Sequence, residues 1–124
     1  MREDDTVKAQ VRDISTNDGE ALDDVVLEDP DDVDVWITVL AGPTGESGEE
    51  SFQLRVRSPV SMAKELYKWG PLHERHMVVV ATWDPHQIRA FINRLFTEPA
   101  GQNWHEVGEK LSKLGYWEFE DYKP

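Results

Sequence analysis

Two short segments with strict alternation of apolar and polar residues constrain the fold of this chain more than any other feature. Residues 6–12, "TVKAQVR", and residues 51–57, "SFQLRVR", place an apolar side chain at every second position, as a strand with one buried face does. Between them, residues 33–40, "VDVWITVL", are rich in β-branched residues and apolar on both parities, which indicates a central strand. The three segments predict an antiparallel meander.

The second half of the chain carries helical signals. Ser58 and Pro59 form a typical helix start, and Gly70 ends the pattern, which predicts a first helix between them. We expect its buried stripe to consist of Val60, Ala63, Leu66 and Tyr67. Residues 77–81, "MVVVA", follow as a short, wholly apolar run typical of a buried strand.

Two further helices are predicted from capping boxes. Asp84 is followed three residues later by Gln87, and Asn103 by Glu106, and each pair precedes apolar residues at helical spacing. The second of these helices should run to Gly115, which is a natural C-cap. Together the elements predict an α+β fold, a mainly antiparallel sheet of about four to five strands with about three helices packed on one face.

The chain of 124 residues fits a single domain, residues 1–124. We expect residues 1–5 to be disordered. Residues 15–32 combine many acidic residues with little periodicity and predict a long acidic loop, with a short turn near the sequence "ALDDVVL".

The chain ends on alternating aromatic and acidic residues, which predict a final strand or extended clasp over residues 116–122. Trp117 and Phe119 share one parity and should pack against the core. Glu118 and Glu120 share the other parity and should face water or a partner. The spacing of these two carboxylates could suit paired acid–base catalysis, but any strand with two glutamates at alternate positions has the same spacing.

Negative charge is concentrated in one third of the chain. Residues 13–54 contain 13 acidic residues and no Lys or Arg, whereas the remaining residues hold 12 acids and 13 bases. Phosphate groups would repel this segment, which argues against binding to nucleic acid or to an anionic membrane and favours a basic partner. A flexible acidic loop that only increases solubility would give the same composition.

The sequence contains no convincing catalytic, cofactor or metal motif. The glycines of residues 42–48 lack the Lys of a phosphate-binding loop, and residues 29–34 lack the Gly and the later Glu of a calcium loop. His73 and His76 have no third ligand at fixed spacing, and cysteine is absent. We therefore expect no enzyme activity and no cofactor. Because no apolar run suits a signal peptide or a membrane span, we also expect a cytoplasmic location and no membrane association.

Three stretches taken together resemble the immunity protein 8 family of bacterial polymorphic toxin systems. They are "ITVLAGPTGESGEESFQLRVRSP", "NWHEVGEKL" and the closing "WEFEDY", and the resemblance runs from about residue 33 to residue 122. It implies a small cytoplasmic α+β protein that binds and neutralises a partner toxin. The toxin could be a nuclease, because the phosphate-binding groove of such an enzyme is basic and an acidic inhibitor would suit it.

Two surfaces are candidates for binding the partner. The first is acidic; its densest cluster precedes the second strand and a second group lies at the tip of the following hairpin, namely Asp29, Asp31, Asp32, Asp34, Glu46, Glu49 and Glu50. The second is the open face of the sheet, where Trp36 could act as an anchor beside Arg55 and Arg57. Trp36 could instead pack beneath the acidic loop. Two other functions stay open, an acidic adaptor unrelated to toxins and an enzyme acting through Glu118, Glu120 or His76.

Overall fold

The structure, a computed structural model, describes residues 6–117. A short 3-10 helix, Leu22–Asp24, lies between the first two strands. The remaining elements are β1 (Val7–Thr16), β2 (Asp34–Pro43), β3 (Glu50–Arg57), α1 (Pro59–Trp69), β4 (Met77–Val79), α2 (Pro85–Thr97), β5 (Ala100–Gly101), α3 (Trp104–Leu111) and β6 (Tyr116–Trp117). Within residues 6–117 they form an α+β fold, as predicted.

The strands form one sheet in the order β4-β3-β2-β1-β5, and β6 also pairs with β3. The strands β1, β2 and β3 form the predicted antiparallel meander. The pairing of β3 with β4 is parallel, because α1 and the connection after it bring the chain back so that β4 runs in the same direction beside the last three residues of β3, Arg55 to Arg57. A bulge between Val11 and Asp13 lets β1 continue to Thr16, beyond the alternating segment that predicted it.

The core lies between one face of the sheet and the helices α2 and α3. Alternate residues of β2 and β3, among them Ile37 and Phe52, are fully buried on this face. Phe96 of α2 meets Phe52 edge to face, with ring centroids 5.6 Å apart. Both capping predictions are confirmed, since Asp84 accepts hydrogen bonds from the first turn of α2 and Asn103 does so for α3.

The predicted buried stripe of α1 is wrong. Its four members, Val60, Ala63, Leu66 and Tyr67, are all exposed, and the Tyr67 side chain is 97% exposed. The helix instead turns Ser61 and Glu65 towards the sheet, where both contact Arg57. Arg57 lies on the face of β3 opposite to the core, so α1 is held by polar contacts where the sequence suggested apolar ones.

The predicted acidic loop is shorter than expected, because Ser15 and Thr16 belong to β1. The remaining segment, residues 17–32, is called the acidic loop below. It is anchored by Leu22, which is fully buried, and by Pro30, whose carbonyl accepts a hydrogen bond of 2.7 Å from the backbone N–H of Trp83. The 3-10 helix coincides with the turn predicted near "ALDDVVL".

The predicted parity of the closing segment holds for its first two residues. Trp117 pairs with Phe52 on the core side, and Tyr116 pairs with Gln53 on the opposite side. The helix α3 ends at Leu111 rather than at Gly115, and a turn connects it to β6. The predictions for Glu118, Phe119, Glu120 and residues 1–5 lie outside the described residues.

Candidate functional site

Trp36 lies in β2 on the sheet face opposite to the core, directly across from Arg55 of β3. The Arg55 guanidinium lies 5.7 Å from the centre of the Trp36 ring, and the ring of Tyr116 is 6.2 Å away on another strand. Trp36 nevertheless remains 37% exposed. Trp36 is therefore a surface residue whose ring contacts Arg55 and Tyr116, and it is not buried beneath the acidic loop.

The arginines beside Trp36 are neutralised by carboxylates of the same domain. Asp34 accepts two hydrogen bonds of 2.7 Å from Arg55, and Glu74 accepts hydrogen bonds from Arg55 at 2.6 Å and from Arg57 at 3.1 Å. The hydrogen bonds from Arg55 lower the pKa of Asp34, and the charges of Arg55 and Arg57 act in the same direction against burial, which raises it. Asp34 therefore has a structural role, as the ion-pair partner of Arg55.

Two clefts meet at Trp36. The first, called the acidic cleft, has a volume of about 480 Å³. Its lining includes three carboxylates and three apolar side chains, namely Asp18, Glu20, Asp34, Val25, Val26 and Trp36. Val26 is 90% exposed, so the cleft includes an apolar side chain that is open to water. Such a combination of an exposed Trp, apolar surface and surrounding charge is typical of protein–protein contact sites.

The second cleft, called the arginine cleft, has a volume of about 390 Å³. Its lining residues are Trp36, Arg55, His73, Glu74, Arg75 and Tyr116. The Arg75 guanidinium lies 5.2 Å from the centre of the Tyr116 ring. Trp36 thus forms the ridge between an acidic cleft and a cleft rich in arginine and aromatic side chains.

Most carboxylates of the acidic loop point into solvent. Exposed side chains belong to Asp18, Glu20, Asp23, Asp24, Glu28, Asp29 and Asp31. Within residues 6–117, only two carboxylates of this loop pair with a base, Asp23 with Arg89 at 3.2 Å and Asp32 with Lys64. The side chain of Asp29 accepts a hydrogen bond of 3.0 Å from the backbone N–H of Asp31, which shapes the turn, and its charge also acts on Lys64, the partner of Asp32.

The acids of the hairpin tip lie far from the acidic loop. Asp34 begins β2, whereas Glu46 and Glu49 follow its end, and a strand of this length separates the two groups by roughly 25 Å. Glu50 is structural, because its carboxylate accepts hydrogen bonds from the indole N–H groups of Trp104 at 3.2 Å and Trp117 at 2.9 Å. The structure therefore does not bring the seven predicted acids together into one patch.

The family model described as immunity protein 8 matches residues 9–122 of the 124-residue chain. The chain belongs to the immunity protein 8 family. No curated protein and no solved structure gave a significant match.

Membership of the immunity protein 8 family makes the chain an immunity protein of a toxin system, whose partner is a toxin. The family match begins at residue 9 and includes most of β1 and the acidic loop, whereas the motifs in the sequence indicated a match only from about residue 33. Immunity proteins of this family are generally non-enzymatic. Among residues 6–117, no helix combines the length and the apolar composition of a membrane span.

Several residues around Trp36 of this immunity protein could not be identified from the sequence. Tyr116 reaches the site only because β6 pairs with β3, and a strand of two residues has no periodicity to reveal it. Glu74 and Arg75 lie in the connection before β4, for which the sequence gives no pattern. The alternation of β3 was the one available signal, since it places Arg55 on the face opposite to the core.

The described residues also bear on the histidines that were considered as metal ligands from the sequence. Within residues 6–117, no group of three His, Cys, Asp or Glu side chains is arranged to hold a metal ion. His76 packs edge to face against Tyr116, with ring centroids 4.2 Å apart, and His73 lines the arginine cleft. The proposed catalytic pair Glu118 and Glu120 lies outside the described residues.

Proposed function

We propose that this immunity protein neutralises its cognate toxin by binding it at the acidic cleft, with Trp36 as the central contact. The observation that carries the proposal is the position of an exposed Trp beside a loop whose carboxylates are mostly uncompensated. Asp29 and Asp31, on the acidic loop outside the lining of the cleft, attract the toxin from a distance. Asp32 and Asp34 keep their internal pairs and hold the loop and the sheet in place.

In this proposal, different residues attract the toxin electrostatically and form the apolar contact with it. The uncompensated carboxylates of the acidic loop produce a negative field, which raises the rate of encounter with a positively charged partner by about 10-fold or more at low salt. Trp36 and the exposed Val26 supply apolar area that is removed from water only in the complex. Charge should therefore govern association, and Trp36 should govern dissociation.

The chemistry of the surface favours a toxin with a basic face. A nuclease fits this requirement, because the groove in which it binds phosphate is positively charged, and an acidic loop placed there would exclude the nucleic acid. Glu46 and Glu49 at the hairpin tip are too far from Trp36 to belong to the same small contact, and they form a second, separate acidic surface.

The function itself is tested by expressing the neighbouring toxin gene in bacteria with and without this protein. Restored growth, together with isolation of a complex of the two purified proteins, is the expected result. Growth that stays arrested although both proteins are present in soluble form would contradict the proposal. An acidic adaptor unrelated to toxins would likewise fail to restore growth.

The acidic surface is tested by two variants that each remove two negative charges. Asp29→Asn combined with Asp31→Asn should slow association with the toxin by several-fold at low salt and leave dissociation nearly unchanged. The matched control combines Glu46→Gln with Glu49→Gln at the distant hairpin tip. Equal effects of the two double variants on the association rate would show that the position of the charge does not matter and would refute the assigned surface.

A further inference from the structure

The sheet of this immunity protein has an open edge at β4. This strand is the last in the order of the sheet, and within residues 6–117 no further strand lies beside it. The backbone N–H of Arg55 donates to the carbonyl of His76 at 3.0 Å, and the N–H of Val80 donates to the carbonyl of Arg57 at 2.8 Å. Because residues alternate along a strand, the N–H and C=O groups of Met77 and Val79 face away from β3.

A groove runs beside this open edge, between β4 and α2, with a volume of about 470 Å³. It is called the edge groove here, and its apolar lining includes Val79, Ala81, Ala90 and Phe91. Val79 is 52% exposed, and Phe91 is 37% exposed. The edge groove thus offers apolar surface directly beside unpaired backbone groups.

The polar lining of the edge groove differs from the rest of this acidic protein. It consists of His86, Gln87 and Arg94, with no carboxylate, although the chain carries a net charge of -12. Arg94 lies with its guanidinium 5.5 Å from the centre of the Phe91 ring. His86 and Arg94 are eight residues apart on α2, which corresponds to about 12 Å, or the length of three to four extended residues.

We propose that β4 accepts an extended segment of the toxin as an additional strand of the sheet. The outward N–H and C=O groups of Met77 and Val79 would form hydrogen bonds with the backbone of that segment. Such pairing requires the bound segment to be extended. The apolar lining would take an apolar side chain of the segment beside Phe91, and Arg94 would pair with an acidic one. This inference rests on the proposed function for the identity of the partner and adds a second contact to the toxin, apart from the acidic cleft.

The decisive variant is Val79→Pro, because proline removes an outward N–H donor and is tolerated at the edge of a sheet. The matched control, Val79→Thr, keeps the N–H and a β-branched side chain. Val79→Pro should raise the Kd of the purified toxin complex by about 10-fold, mainly through faster dissociation, and Val79→Thr by much less. Arg94→Gln should also weaken the complex, with little change in the melting temperature of the free protein.

Hydrogen exchange on the unmodified protein gives a test that does not depend on any variant. The amides of Met77 and Val79 should exchange rapidly in the free protein and at least about 10-fold more slowly in the toxin complex. Unchanged exchange at both amides, or a Val79→Pro variant that binds as the wild type does, would overturn strand addition. Protection that appears with rising concentration of the free protein alone would also overturn it, because the edge would then pair with a second copy.

The two proposals fail in distinguishable ways. If Asp29→Asn with Asp31→Asn slows association while Val79→Pro has no effect, strand addition is refuted and the acidic cleft stands. If Val79→Pro weakens the complex while the charge variants behave alike, the acidic cleft is refuted and strand addition stands. A toxin that does not bind the wild-type protein refutes both.

Discussion

Arg57 on β3 forms an ion pair with Glu65 on α1, although its side chain is only 2% exposed. The guanidinium also donates hydrogen bonds to Glu74 and to the side chain and carbonyl of Ser61. A buried charge is tolerated only when it is paired and hydrogen-bonded. These contacts, and not apolar packing, attach α1 to the sheet.

Removing the partner of Arg57 should therefore destabilise the domain. Glu65→Ala should lower the free energy of unfolding by about 1–3 kcal/mol, because Arg57 stays buried with one carboxylate fewer. Lys64→Ala removes an exposed side chain of the same helix, which pairs with Asp32 of the acidic loop, and should cost much less. Urea unfolding of the two variants measures the difference, and equal losses would contradict this account of α1.

Glu50 should be more important for stability than its neighbour Glu49. Glu50→Ala leaves the indole N–H groups of Trp104 and Trp117 without their acceptor and should cost about 2–4 kcal/mol. Glu50→Gln keeps an acceptor oxygen and should cost less. Glu49→Ala, at an exposed position, serves as the control and should leave urea unfolding nearly unchanged; a Glu50→Ala variant as stable as this control would refute the structural role.

Asp34 should link stability to pH. Its pKa is lowered from the ordinary value of 3.8 by the hydrogen bonds from Arg55, so the charged form is favoured in the folded state. The resulting stability is fully present well above pH 3.8 and is lost as the pH falls through the lower folded pKa. The stability difference between the wild type and Asp34→Asn should therefore be constant near neutral pH and shrink below about pH 4. Urea unfolding across pH 2.5–7, in roughly half-unit steps, checks this; a constant difference would contradict it.

Trp36 should contribute more to toxin binding than to stability. Trp36→Ala should raise the Kd by about 30-fold, as expected for an aromatic contact at the centre of an interface, and lower the melting temperature only slightly. The matched control is Trp69→Ala, which removes an exposed Trp on α1 outside the acidic cleft. A large loss of melting temperature with unchanged Kd would show that Trp36 serves packing alone.

The elements with strong periodicity could be predicted from the sequence. The alternation around Phe52 and the capping residues Asp84 and Asn103 each specify a local structure, and all were confirmed. The short strands β5 and β6 contain two residues each and exist only through pairing with distant partners. The prediction of a buried stripe on α1 failed for a related reason. The apolar residues of a helix do not reveal whether the strand that faces it carries apolar or charged side chains.

Some residues of the candidate site could be predicted from the sequence, but their contacts with one another and with the rest of the fold could not. Trp36 and the acids of the loop could be identified from composition and parity. The internal contacts of Asp34 and Glu50 could not be predicted, because partners such as Arg55 and Trp117 are distant in the sequence. Acidic residues that look equivalent in the sequence thus divide into structural and exposed groups only in the folded chain.

This division has a consequence for how the protein can change over evolutionary time. The side chains of Asp18, Glu20 and Asp31 form no ion pairs within residues 6–117, whereas Leu22 and Pro30 hold the loop that carries them. At the interface proposed above, substitutions of the three acids would therefore alter partner preference at little cost in folding. An immunity protein built in this way can follow a diversifying toxin by exchanging a few loop side chains, while its sheet, helices and internal ion pairs stay as they are.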